Sequence, residues 1–207
     1  MTSSFLKLML ITQQKALRQG DYLRFIETCA RAGVTSVQLR EKDFNYSESL
    51  FFGRELKSIL KPYGVPLIVN DHLELALELD AEGLHLGQSD GDILEARKRL
   101  GPHKILGLSA TSPEHFEKAN TLPLDYVGIG AVFPTRSKEN APVLGLDLFQ
   151  EYRRLSKHPV IGVGGVTDKN AQALMDRGSA GFAVIGAIHR AQNPSQVIKD
   201  LLAISNG

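Results

Sequence analysis

Gly83-Leu84-His85-Leu86-Gly87-Gln88-Ser89-Asp90 is a short, mainly apolar run that breaks at a glycine into three polar residues, and residues 92–100 beyond it carry helical apolar spacing. A short run of this kind, then a polar loop, then an amphipathic segment, is the repeating unit of a parallel α/β protein, in which strands are covered on both faces. The unit recurs in both directions from here. Strand-like runs lie at 6–12, 36–40, 66–70, 83–86, 105–109, 126–132, 160–164 and 182–185. Helical segments follow them at 22–32, 47–60, 73–79, 92–100, 113–120, 146–155, 169–177 and 194–204. Gly33, Gly64, Gly101 and Gly178 sit where helices should stop. Eight such units close a (β/α)₈ TIM barrel, and 207 residues is near the minimum for one, so the chain reads as a single catalytic domain spanning 1–207.

Composition narrows the partners. A net charge of +1 gives no global pull toward nucleic acid or a membrane surface, so any anion binding has to be local. The apolar run at 5–11 is interrupted by Lys7 and is too short to span a bilayer. Cys29 is the only cysteine, which rules out an intrachain disulfide and points to the cytoplasm; its place in a helix suits a buried small hydrophobe.

In this fold, chemistry gathers at the C-terminal strand ends. The second strand ends in Gln38, Arg40, Glu41 and Lys42. A guanidinium and an ammonium together suit a diphosphate, although a solvated salt-bridge cluster around Glu41 explains the same residues. The third strand ends in Asn70, Asp71 and His72, and the fourth leads to Gln88, Ser89 and Asp90. Two carboxylates at neighbouring strand ends suit Mg²⁺, which takes one or two carboxylates and fills its octahedron with water and phosphate. The alternative is that Asp71 and Asp90 each cap the helix that follows. His85 reads as a satisfied polar core residue, and His72 has no second histidine at metal-ligand spacing.

Ser109 ends the fifth strand without a nucleophile elbow, so a substrate hydrogen bond is the better reading. Phe133-Pro134-Thr135-Arg136-Ser137-Lys138 opens the longest aperiodic stretch, 133–145, a candidate active-site loop that could close over substrate. Gly162-Val163-Gly164-Gly165-Val166-Thr167 follows the seventh strand, and Ile185-Gly186-Ala187 ends the eighth. Glycines at those two loops are where this fold commonly seats a phosphate. Two anion sites emerge, a monophosphate site at Gly164, Gly165 and Gly186 and a diphosphate–magnesium site at Arg40, Lys42, Asp71, Asp90 and Lys138.

Taken together, 37–42, 69–71, 83–90, 107–109, 133–138 and 162–167 resemble the thiamine phosphate synthase family in its own order. The resemblance implies a transferase that joins hydroxymethylpyrimidine diphosphate to hydroxyethylthiazole phosphate, releasing pyrophosphate and forming thiamine phosphate. It implies Arg40, Lys42, Asn70 and Lys138 on the diphosphate, Asp71 and Asp90 on Mg²⁺, and Gln38 and Ser109 at the pyrimidine or its departing group. Thr135 and Ser137, with backbone groups of Gly165, Ile185 and Gly186, would place the thiazole phosphate. The chain departs from the family at Met9, where an aromatic residue is frequent, at His72, where arginine is common, and at Gly186, where a serine can contact the phosphate. Two rivals stand beside this reading: a thiazole tautomerase, with His85 the nearest candidate proton shuttle, and a non-catalytic, thiazole-phosphate-binding regulatory barrel.

Overall fold

The computed structural model describes residues 3–14, 18–135 and 142–207. Eight parallel strands close in sequence order: β1 (Leu8–Ile11), β2 (Ser36–Leu39), β3 (Leu67–Asn70), β4 (Gly83–Leu86), β5 (Ile105–Ser109), β6 (Tyr126–Ile129), β7 (Val160–Val163) and β8 (Phe182–Val184), with β8 pairing back onto β1. Helices α1 (Gln19–Ala32), α2 (Tyr46–Leu60), α3 (Leu73–Glu78), α4 (Ile93–Leu100), α5 (Pro113–Ala119), α6 (Gly145–Leu155) and α7 (Ala171–Met175) link them. After β8 come two helices rather than the expected one: a single turn, α8 (Gly186–His189), and then α9 (Pro194–Asn206).

Alternation along each strand divides the core in two. Leu8, Leu10, Val37, Leu39, Val69 and Leu84 point outward, where they pack with helix residues such as Ile26, Phe52, Phe116 and Leu201. Met9, Ile11, Ile68, Tyr126, Ile161 and Ala183 point inward and fill the barrel. A slip of one residue in any strand would exchange the two sets, so the pattern fixes the register.

Local chemistry sets the helix ends. Asn45 and Glu48 form a reciprocal capping box on α2, Ser112 and Pro113 open α5, and Asn193 and Pro194 open α9. Each such cap contributes about 1 kcal/mol. Gly33 ends α1 at φ 111°, where its N–H reaches the carbonyls of Cys29 and Ala30. Cys29 is buried in that helix, and burial pushes its thiol up to about 12, which leaves it inert.

Two strands are shorter than their apolar runs by more than one residue. Leu6 belongs to a 3-10 turn, Ser3–Leu6, and its side chain plugs the barrel interior. Beyond Ile129 the chain leaves β6 but stays tied to the loop after β7, with Val132 N–H donating to the Val163 carbonyl (2.9 Å) and Phe133 N–H to that of Gly164 (3.1 Å). Of the loop 133–145, residues 136–141 lie outside the described residues, and so do the expectations placed on Ser137 and Lys138. Among the described residues no helix is long and apolar enough to cross a membrane.

Candidate active site

At the C-terminal ends of the strands lies a cleft of about 890 Å³. Gln38, Arg40, Lys42, Asn70, Asp71 and Asp90 line one side; Thr135, Gly165, Ile185 and Gly186 line the other, with Ser109 between. Every described residue singled out from the sequence as a site candidate therefore reaches the same cavity.

The floor is a polar network inside the barrel. His85, Gly107 and Tyr126 are register partners across β4, β5 and β6. A Cβ on Gly107 would overlap the Tyr126 ring and approach His85 Nδ1, so glycine is what lets the two rings meet. His85 Nδ1 lies 2.9 Å from the Tyr126 hydroxyl and Nε2 lies 2.9 Å from Ser109 Oγ. Burial drives the Tyr126 phenol well above its ordinary range, so it stays protonated, and it accepts from the Gln38 amide. In the tautomer where its own O–H donates to His85 Nδ1, the Nε2–H donates to Ser109 and the Ser109 hydroxyl proton turns toward the cleft. Burial lowers His85 to about 4, so the imidazole is neutral at physiological pH. The expectation of a satisfied core histidine holds. Tyr126, its essential partner, had no sequence signal beyond an aromatic residue in a strand.

On the β2–β4 side, Arg40 and Lys42 follow β2, and among the described residues neither forms a contact ion pair with a carboxylate. The salt-bridge explanation fails because, among the described residues, Glu41 forms no contact ion pair with either cation and instead accepts from Gln14 N–H (2.9 Å). Burial opposes the Arg40 charge, with Asp71 and Glu41 partly compensating. Asp71 sits at φ 67°, at the centre of a turn in which His72 N–H donates to the Asn70 carbonyl (2.9 Å). This is the strained γ-turn geometry, and such strain concentrates at functional sites.

The capping alternative also fails for both carboxylates: His72 is the N-cap residue of α3, and Asp92 caps α4. Asp90 instead accepts from Gly87 N–H (2.7 Å) and Ser89 Oγ (3.3 Å). Partial burial, and then the hydrogen bond and negative charge of Asp90, raise Asp71. In Asp90 burial opposes ionisation, but the hydrogen bonds from Asp71, Gly87 and Ser89 outweigh it and hold the group below its ordinary value. The two carboxylates are close enough to shift each other's ionisation in opposite directions, and a cation between them would relieve that repulsion. Among the described residues no third carboxylate, histidine or cysteine joins them. Two hard oxygen donors with room for water and phosphate fit Mg²⁺ and would suit zinc poorly.

On the β7–β8 side, backbone replaces side-chain charge. Gly164 and Gly165 have φ of 89° and 68°, and a Cβ on Gly165 would lie 2.5 Å from the Pro134 carbonyl oxygen and 2.7 Å from Phe133 Cβ. Asn170 ties this loop, donating to the Gly165 carbonyl (3.0 Å) and accepting from Thr167 N–H (2.8 Å). Gly186 and Ala187 begin α8, so their N–H groups have no intrahelical partner. His189 anchors this turn: its Nδ1–H donates to the Ile185 carbonyl (2.8 Å), so Nε2 accepts from the Tyr22 hydroxyl (2.7 Å), which itself accepts from Gln13 N–H (2.7 Å). Arg190 also lines the cleft. Neither His189 nor Arg190 was singled out from the sequence, although a cation four residues after Gly186 was a legible signal once α8 was known to be helical.

A family model described as thiamine monophosphate synthase matches residues 8–188. A thiamine-phosphate synthase of Chlamydia abortus is 47% identical over 205 residues, covering 99% of this chain and 97% of that protein. One from Persephonella marina is 39% identical over 188 residues, covering 91% and 90%. Among solved structures, a thiamine phosphate pyrophosphorylase from Pyrococcus furiosus superposes with a TM-score of 0.88 at 30% identity, covering 99% of this chain and 97% of that one. With a cleft of this construction and similarity over nearly its whole length, the chain belongs to the thiamine monophosphate synthase family, transferases of thiamine biosynthesis.

Proposed function

We propose that this chain is a magnesium-dependent thiamine phosphate synthase that transfers the hydroxymethylpyrimidine group from its diphosphate to hydroxyethylthiazole phosphate. The observation that carries the reading is one cleft with two unlike anion sites, unpaired cations beside a carboxylate pair on one side and open glycine backbone on the other. Two phosphorylated substrates need such a pair of sites, and a single-substrate reaction does not.

In the reaction the bond between the pyrimidine methylene and the diphosphate oxygen breaks, the electron pair leaving with pyrophosphate. The thiazole nitrogen then supplies the pair that forms the new carbon–nitrogen bond. Arg40 and Lys42 neutralise the departing charge, with Asn70 donating beside them, and the family resemblance implies the same role for Lys138. Asp71 and Asp90 would hold Mg²⁺, which supplies further neutralisation of the diphosphate when bound. Gln38 and the outward-turned Ser109 hydroxyl orient the pyrimidine. A neutral His85 beneath it adds no positive charge next to a methylene that is becoming cationic. Thr135, Ser137 and the backbone of Gly165, Ile185 and Gly186 seat the thiazole phosphate.

The tautomerase alternative needs a free base. Both His85 nitrogens are already engaged, by Tyr126 and Ser109, which favours the synthase. A single, buried cysteine suits a cytoplasmic enzyme, and we place it there.

Pyrophosphate release by the purified protein, given both substrates and Mg²⁺ and with each component omitted in turn, tests the proposal. Release coupled to thiamine phosphate formation and dependent on every component is the expected result. Tight binding of thiazole phosphate without coupling would instead identify a regulatory barrel.

A further inference from the structure

Arg190 is a cleft-lining cation with no part in the reaction described so far. It follows α8 directly, and helical side chains lean toward the N-terminus, so a residue at i+4 comes to lie over residue i. The structure bears this out: a Cβ built on Gly186 would overlap Nη1, Nη2 and Cζ of Arg190. Gly186 has no left-handed φ to accommodate, so the space above its Cα is the reason for a glycine here. Among the described residues the Arg190 side chain makes no hydrogen bond and no ion pair, which leaves its planar donor fork uncommitted at the mouth of the β7 and β8 loops. A guanidinium in that position matches a phosphate bidentately, which backbone N–H groups alone do not.

We propose that Arg190 is the charged clamp on the phosphate of the thiazole substrate, admitted to the site by the missing side chain at Gly186, and that it makes this enzyme discriminate against the unphosphorylated thiazole alcohol. The assignment rests on the synthase reading for the identity of the substrate. Arg190 and Gly186 then act as one unit, because a side chain at 186 requires the guanidinium to leave its place above the Gly186 Cα.

Steady-state kinetics of the full chain and of Arg190→Ala, Arg190→Lys, Gly186→Ala and the Gly186→Ala/Arg190→Ala double variant provide the test. For Arg190→Ala the KM for hydroxyethylthiazole phosphate should rise about 10- to 100-fold, the usual range for a hydrogen-bonded charge, while the KM for the pyrimidine diphosphate stays unchanged. Unphosphorylated hydroxyethylthiazole should be used equally well by the wild type and Arg190→Ala. Arg190→Lys should fall between them, and the double variant should be no worse than Arg190→Ala. Equal losses with phosphorylated and unphosphorylated thiazole, a rise confined to the pyrimidine diphosphate, or multiplying effects in the double variant would each overturn the assignment. Calorimetric titration with hydroxyethylthiazole phosphate separates it from the synthase reading: if the wild type turned nothing over, tighter binding by wild type than by Arg190→Ala would still support the clamp, and equal binding would overturn it.

Discussion

The two sides of the cleft hold anions by different means. The β2–β4 side brings Arg40, Lys42, Asp71 and Asp90, whose charges reside on side chains. The β7–β8 side brings Gly164, Gly165 and Gly186, where the useful groups are backbone N–H and the useful property is room. In the proposed reaction the leaving pyrophosphate develops charge, and mobile or ionisable groups can respond to it. The thiazole phosphate of the proposed reaction keeps its charge throughout and needs only to be held, for which backbone N–H groups and the single Arg190 guanidinium are enough. The lesson is that carboxylates and several cations gather where charge changes, while backbone and one guanidinium serve where it does not.

If that division is right, substitutions on the two sides should separate in kinetics. Asp71→Ala should have the largest effect, lowering kcat about a thousandfold through lost stabilisation of the leaving group, with the affinity for thiazole phosphate by calorimetry unchanged. Weakened thiazole phosphate binding in that variant would break the division.

Next in size is a pH effect on the floor shared by both sides. His85 has a folded pKa of about 4 against an ordinary value of about 6.5, so the unfolded chain binds the proton first. Its contribution to stability is therefore full above pH about 6.5 and is lost as pH falls toward 4, up to about 3 kcal/mol. Urea titrations across that range should show the slope, and His85→Gln should flatten it. An unchanged slope in the variant would mean that the imidazole is not held neutral.

Gly165→Ala should destabilise the protein by about 2 kcal/mol, because the residue would be forced to a left-handed φ against the Phe133–Pro134 backbone. Thermal melts should shift down by about 4–8 °C, and the KM for thiazole phosphate should rise while that for the pyrimidine diphosphate does not. The smallest effect is expected for Tyr126→Phe, which leaves His85 Nδ1 without its donor at a cost of about 1 kcal/mol. The freed imidazole can then change tautomer, so the pyrimidine diphosphate KM should rise a few-fold; no change would argue that Ser109 is not oriented through this network.

Residues 36–42 show what could be read early. Alternating apolar positions placed Gln38 and Arg40 on one face, and β2 does send Gln38 inward while Val37 and Leu39 pack outward. Strand ends were less legible: the apolar run 126–132 promised a longer strand, but the chain leaves the sheet after Ile129 while its N–H groups continue to bond the loop after β7. The extra turn α8 was hidden because four residues are too few for a periodic signal.

The sequence by itself determined the eight-unit barrel and the charged half of the cleft. These follow from the recurring strand, loop and helix pattern and from charges that any extended strand end must present. Only the tertiary structure decided that Asp71 and Asp90 meet rather than cap helices, that Gly107 makes room for the His85–Tyr126 contact, and that Arg190 folds back over Gly186. Each of those depends on the absence of atoms or on a close approach between separate elements. Hydrophobic periodicity carries no record of either, because it reports which face a residue occupies and not what stands opposite it.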